Sequence, residues 1–280
     1  MKNKTKSFQI NDNITEVFIG DSHIQGTIKD SLLPRGINIG NSGESYYLSY
    51  FKLVKLLGSN ANIQKVYLGF SYHNISGYYY DFVYGKFSSS VVPSYYYILP
   101  ANEQMKLLVY NYKTLPAFLK NSIKSAADIL RNRVAFEGGY INIFDSSRAD
   151  RKSMDKRINF QFYKEGEIYP FSSLNLDYLN KISALCKEHH VELILVSTPL
   201  HPYFLNKIPV EYIRKYDSII YNGNYHVIDL HRMLKHDDEF IPDGDHVSVK
   251  GAMLTTRKFL ALDSVNLPVN NDGHPIHEGN

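Results

Sequence analysis

Tryptophan is absent from the 280 residues, and cysteine occurs once, at Cys186. A single thiol excludes an internal disulfide and any cysteine-based zinc cluster. Its setting in an apolar helical pattern (LNKISALC) predicts a buried, unreactive side chain. No apolar run is long enough to cross a bilayer. The N-terminus, MKNKTKSFQINDN, is basic but lacks the apolar centre of a signal peptide. The chain as it stands therefore reads as soluble and, by default, cytoplasmic. Charge of one sign is not in excess either: the net charge is +3, with both signs interleaved. Nucleic-acid binders gather Lys and Arg on one face, so that partner class is not expected. The spacings of a dinucleotide fingerprint and of the Gly-x-Ser-x-Gly nucleophile elbow are missing as well.

What is present is an ordinary apolar share, 44%, and many tyrosines: 23, of which ten lie between Tyr72 and Tyr112. A chain of this length and composition buries enough surface to fold without staples. Short apolar runs at 16–19, 36–39, 65–68, 191–197 and 226–230 read as strands. Helical periodicity follows them at 20–28, 45–57, 174–189, 210–221 and 249–261. Strands alternating with helices imply an α/β domain with a parallel sheet covered on both faces. Residues 76–170 break that alternation. They hold the tyrosine clusters, a helical stretch near 103–133 and a polar segment from Ser146 to Arg157, and they read as an insertion over the sheet's carboxyl edge, a lid. The whole is expected to be one domain, 1–280. No internal repeat is found, and low complexity is confined to the last dozen residues.

Ligands bind at the carboxyl ends of parallel strands, so the residues just after each strand matter most. After the first comes Gly20-Asp21-Ser22-His23. A serine that follows a strand and a glycine and enters a helix presents its hydroxyl at the sheet edge. The alternative is a plain N-cap serine. A nucleophilic serine needs a base, and the base an orienting carboxylate. Near the C-terminus, Asp243 and His246 stand three apart, in reach of one another on a turn, or else in a solvated turn with no chemistry. Asp245 competes for the orienting role, but its adjacency to His246 points it elsewhere. The glycine-rich stretch Asn38 to Ser45 offers backbone N–H groups to a developing oxyanion, or is simply a turn between strand and helix. The loop Gly69-Phe70-Ser71-Tyr72-His73-Asn74 could add a side-chain donor.

These blocks resemble the SGNH (GDSL-like) hydrolase superfamily across most of the sheet framework. The resemblance implies a flavodoxin-like three-layer α/β/α sandwich and a Ser22–His246–Asp243 triad. It also implies an oxyanion hole from the N–H groups of Ser22 and Gly43. The third block departs from the family's Gly-x-Asn-Asp: Ser71 stands in the asparagine's place, and Asn74 or His73 could supply the donor instead. Variation of that kind is similar to relatives that handle polysaccharide O-acetyl groups. The expected activity is hydrolysis or transfer of a small acyl ester, on an O-acylated carbohydrate, without cofactor or metal. The alternative is a weak or inactive member that binds a glycan or protein through the tyrosines. His73 and His201 are further candidates for substrate contact. His189 and His190 read as helix-end surface residues. His231, His236, Asp237 and Asp238 show no ordered ligand spacing.

Overall fold

A computed structural model describes residues 10–130, 139–142 and 148–265. Most of the basic N-terminal stretch (residues 1–9), Arg131–Arg133, Ser146 and Ser147, and the C-terminal tail after residue 265 lie outside the described residues. Five parallel strands form the sheet: β1 (Glu16–Ile19), β2 (Gly36–Asn38), β3 (Lys65–Gly69), β4 (Glu192–Ser197) and β5 (His226–Asp229). Their order is β2-β1-β3-β4-β5. Val17 pairs with Ile37 on one side and Val66 on the other, and Leu68 pairs with Leu195. The principal helices are α1 (Ser22–Thr27), α2 (Tyr46–Ser59), α3 (Ala101–Tyr110), α4 (Leu115–Leu130), α5 (Arg151–Phe162), α6 (Ser173–Glu188), α7 (Val210–Gly223) and α8 (Val249–Val265).

Strand alternation divides the apolar residues between two faces. Val17, Ile19, Val66, Leu68 and Leu195 share one core with Leu53 and Leu56 of α2, Ile182 of α6 and Tyr212 of α7. Phe18, Tyr67, Ile194, Val196 and Ile228 share the other with Ile24 of α1 and Phe259 of α8. The sheet is thus sandwiched between helical layers. On the second face Phe18 stacks on Tyr67 at 4.5 Å, and the edge of Phe259 closes on both rings. Such a trio adds roughly 1 kcal/mol per pair beyond area burial. Cys186 is buried in α6, which pushes its thiol up to about 12 and leaves it a poor nucleophile.

The strand order reverses between β1 and β3, which opens a crevice at their carboxyl ends. Two glycines make room for α1 there. A side chain on Gly69 would meet Ile24 at 2.5 Å, and Gly20 adopts φ +144°, which favours glycine.

The segment between Ser76 and Phe171 leaves the sheet and returns to the same place, because those two residues form an antiparallel bridge and Gly77 N–H donates to Pro170 O. The helical stretch expected at 103–133 is two helices, α3 and α4, separated by a 3-10 turn at Tyr112–Thr114. Pro116 is tolerated because it sits in the first turn of α4. Buried tyrosines of this segment, Tyr78, Tyr79 and Tyr95, point inward, whereas Tyr80, Tyr97, Tyr110 and Tyr112 remain exposed. No helix of the described residues is long and apolar enough to cross a membrane.

Candidate active site

Ser22 is the first residue of α1, and Asp21 caps that helix by accepting from His23 N–H at 2.9 Å. The half-buried Ser22 hydroxyl lies 2.8 Å from His246 Nε2. On the far side of the ring, Nδ1 lies 2.8 Å from Asp243 Oδ2. The other oxygen of Asp243 accepts from the backbone N–H groups of Asp245 and His246, so the carboxylate also shapes the turn that carries its partner. These contacts assign the ring's proton to Nδ1 and leave Nε2 to accept from serine. Burial pushes the Asp243 carboxyl up, but His246 opposite and its hydrogen bond outweigh that and hold it below its ordinary value. Residues more than 200 apart in sequence thus form one hydrogen-bonded chain.

The loop after β2 is built to expose N–H groups. Asn38 donates to the carbonyls of Ile24 and Ile28 and accepts from Gly40 N–H, tying the loop to α1. Beneath it, buried Glu44 pairs with buried Lys52 and accepts from Tyr95 and Ser49, while Lys52 donates to Ile39 O. Burial raises the Glu44 carboxyl above its usual range despite Lys52 beside it. Gly43 adopts φ +74°, and a Cβ there would meet Phe82 and Val91 at 2.9 and 3.0 Å. Among the described residues, nothing accepts from the backbone N–H of Ser22 or Gly43.

The third loop is engaged elsewhere. Asn74 donates both amide protons, to Asp21 Oδ2 at 3.0 Å and to Tyr79 OH at 3.1 Å, and its carbonyl accepts from Ser71 N–H. The Ser71 hydroxyl is buried and hydrogen-bonded to His231 Nε2 at 2.8 Å. Neither side chain of the pair Asn74 and Ser71 therefore has a donor left for an oxyanion. His73, also buried, donates from Nε2 to Asp21 Oδ2 at 2.8 Å, so it faces the scaffold rather than a substrate. His201 is likewise occupied. Its Nδ1 accepts from Tyr203 N–H, its Nε2 donates to Asp237, and its backbone N–H holds Gly244 O. It braces the Asp243–His246 turn.

Residues without a role in the sequence reading complete the centre. Buried Asp21 accepts four hydrogen bonds, from His23 N–H, His73, Asn74 and Tyr79. Burial pushes its carboxyl up, but His73 and His23 beside it and these hydrogen bonds hold it far below the usual range. His23 lies between two other imidazoles, 3.9 Å from His73 and 4.6 Å from His246 between ring centroids. Its Nε2 is 3.2 Å from Asp245 Oδ1. Asp245 points inward, contrary to the expectation from its adjacency to His246. It accepts from Arg157 Nε at 2.5 Å and Gln161 Nε2 at 2.8 Å, and it lies 3.9 Å from His246 Nδ1. A turn at Gly244, φ +63°, swings alternate side chains to the same interior. Asp21 was legible as a helix cap before a helical pattern. Arg157 and Gln161 stand far away in sequence, with no local signal.

Two groups, Asp21–His23–His73 and His23–Asp245–His246, hold metal-ligand types within 4.8 Å of one another. Their hydrogen bonds and close contacts run to one another and to Ser22.

No family model matches the chain, and no curated protein does. Among solved structures, a "putative acylhydrolase" from Bacteroides fragilis NCTC 9343 is similar over 90% of this chain and 88% of its own, at 11% identity and a TM-score of 0.38. A GDSL-like lipase from Bacteroides thetaiotaomicron VPI-5482 is similar over 90% of this chain and 89% of its own, at 10% identity and a TM-score of 0.39.

Proposed function

We propose that this chain is a serine hydrolase of the SGNH type, acting by acyl transfer on a small ester. The observation that carries the reading is the continuous Ser22–His246–Asp243 hydrogen-bonded chain, with contacts of 2.8 Å on both sides of the imidazole. Nucleophile, base and orienting carboxylate stand in the order that this chemistry needs.

In the proposed cycle, Ser22 Oγ attacks the ester carbonyl while its proton passes to His246 Nε2. The carbonyl oxygen becomes an oxyanion, received by the N–H groups of Ser22 and Gly43. Collapse expels the alcohol, which takes the proton from His246 and leaves Ser22 acylated. Water or a second alcohol then gives up its proton to the same nitrogen, attacks the acyl group and restores the serine. Asp243 stabilises the imidazolium throughout. Asn74 and Ser71, with their side chains engaged, take no part in the hole and serve as scaffold.

The acyl group is small in this reading, because Phe82 and Val91 press against Gly43 and narrow the space beside the oxyanion. Acetyl on a carbohydrate fits that limit. Residues 76–170 form an insertion in a single domain, and two of its tyrosines reach the centre directly. Tyr79 donates to Asp21, and Tyr95 donates to Glu44 and accepts from Asn41. The insertion thereby braces the nucleophile and the oxyanion loop.

Labelling with a fluorophosphonate tests the reading. Wild-type protein should be labelled, and Ser22→Ala and His246→Ala should not. Failure of the wild type to label would leave the non-catalytic alternative, a glycan- or protein-binding fold.

A further inference from the structure

We infer that Arg157, with the half-exposed rings of Phe160 and Phe82, forms a subsite for a carboxylate carried by the alcohol part of the substrate, as in an acidic sugar. The inference rests on the acyl-transfer reading for the position of that alcohol, but not for the existence of the subsite.

Arg157 lies in α5 and is about one-fifth exposed. Its Nε donates to Asp245 Oδ2, which fixes the guanidinium plane. Among the described residues no acceptor meets its two Nη groups, so up to four N–H donors remain. A counter-ion for Asp245 needs no such surplus, because Gln161 donates to the same oxygen and His23 faces the other. The carboxylates nearby already have hydrogen-bonding partners: Asp243 in His246, Asp245 in Arg157 itself, and Asp21 in His73. A fork held at Nε and open at Nη is the arrangement that binds a carboxylate through two parallel hydrogen bonds.

The surroundings fit a saccharide. The guanidinium carbon lies 5.5 Å from the centroid of Phe160. Phe160 continues into Phe87 at 5.9 Å and Phe87 into Phe82 at 4.9 Å. Phe82 in turn covers Gly43, so this aromatic rim runs from Arg157 to the oxyanion loop. All three rings are only partly buried. Exposed Lys86 stands over Phe87 at 4.9 Å, with Asp81 3.7 Å from its ammonium. Because His246 returns its proton to the leaving oxygen, the alcohol departs past His246. Helix α5 meets the His246 turn there, through Arg157 and Asp245.

The test compares two esters of matched shape, 4-acetoxybenzoate and neutral 4-acetoxybenzamide, on wild type, Arg157→Gln and Arg157→Lys. The ratio of their kcat/KM values should fall about tenfold in Arg157→Gln, the effect of one charge-assisted contact. Arg157→Lys keeps a cation for Asp245 and should lose part of the ratio. Damage to folding or to the triad lowers both esters together and leaves the ratio unmoved. An unchanged ratio in both variants overturns the proposal. Calorimetric titration of Ser22→Ala with trigalacturonate and with neutral maltotriose reads the subsite without turnover. Preference for the uronate that Arg157→Gln abolishes supports the subsite even if no ester is cleaved, which would remove only the acyl-transfer reading. Equal binding of the two saccharides overturns it.

Discussion

Asp21 stands next to the proposed nucleophile, yet its contacts make it a structural hub, and Asp21→Asn separates the two roles. The carboxylate presents two oxygens to four donors: His23 N–H at 2.9 Å on one, and His73 at 2.8 Å, Asn74 at 3.0 Å and Tyr79 on the other. An asparagine has one acceptor oxygen and an NH2 in place of the second. The least costly orientation keeps the oxygen toward the three side chains and turns the NH2 against His23 N–H. That loses the cap of α1, about 1 kcal/mol, and sets donor against donor, about 1–3 kcal/mol. The sum is about 3 kcal/mol, which lowers Tm by roughly 6–12 °C in a chain of this size. Acid should narrow the difference. The folded carboxyl is held far below its unfolded value, so its stabilisation is complete above about pH 5 and is lost progressively as pH falls below the unfolded value of about 4, by about 1 kcal/mol at pH 3. Thermal melts followed by circular dichroism at neutral pH and near pH 3 measure both effects. A Tm within about 2 °C of wild type at neutral pH, or a gap just as wide in acid, would refute this account of Asp21.

Three further outcomes follow from contacts that sequence adjacency hides. Asp245→Asn leaves Arg157 and Gln161 facing a neutral group in a buried site and should cost about 3 kcal/mol in chemical denaturation, against the mild effect that adjacency to His246 suggests; a cost under about 1 kcal/mol contradicts the network. Asn74→Ala should lower stability by about 2 kcal/mol through Asp21 and Ser71 while kcat falls less than about tenfold. A kcat loss of about 100- to 1000-fold in a stable protein would instead make Asn74 an oxyanion donor. Gly43→Ala drives a methyl into Phe82 and Val91 at a positive φ, displacing the backbone N–H, and should cut kcat about 100-fold. Adding Phe82→Ala should restore part of that loss if crowding is the cause.

The apolar runs at 16–19, 65–68 and 191–197, alternating with helical periods, were enough to specify an α/β sheet covered on both faces. They depend on nothing beyond which side of a strand or helix each side chain occupies. The meeting of Ser22, Asp243 and His246 was legible for a related reason, since the residues past parallel strands converge at one edge. The occupants of the third loop were not legible. Whether Asn74 reaches an oxyanion depends on where its amide finds acceptors, and these are Asp21 and Tyr79, one from another strand end and one from the insertion. Asp245 departs from what its adjacency to His246 suggests because a side chain's direction follows from backbone dihedrals, and the left-handed Gly244 turns Asp245 inward. The His73–His23–His246 stack and the Arg157–Asp245 pair join segments up to 223 residues apart, and no local pattern encodes such meetings. Composition and periodicity settled what could be buried and where the chemistry would gather. Only the tertiary structure decided which polar groups satisfy one another and which are left over for a substrate, because a buried donor takes the acceptor that packing brings to it.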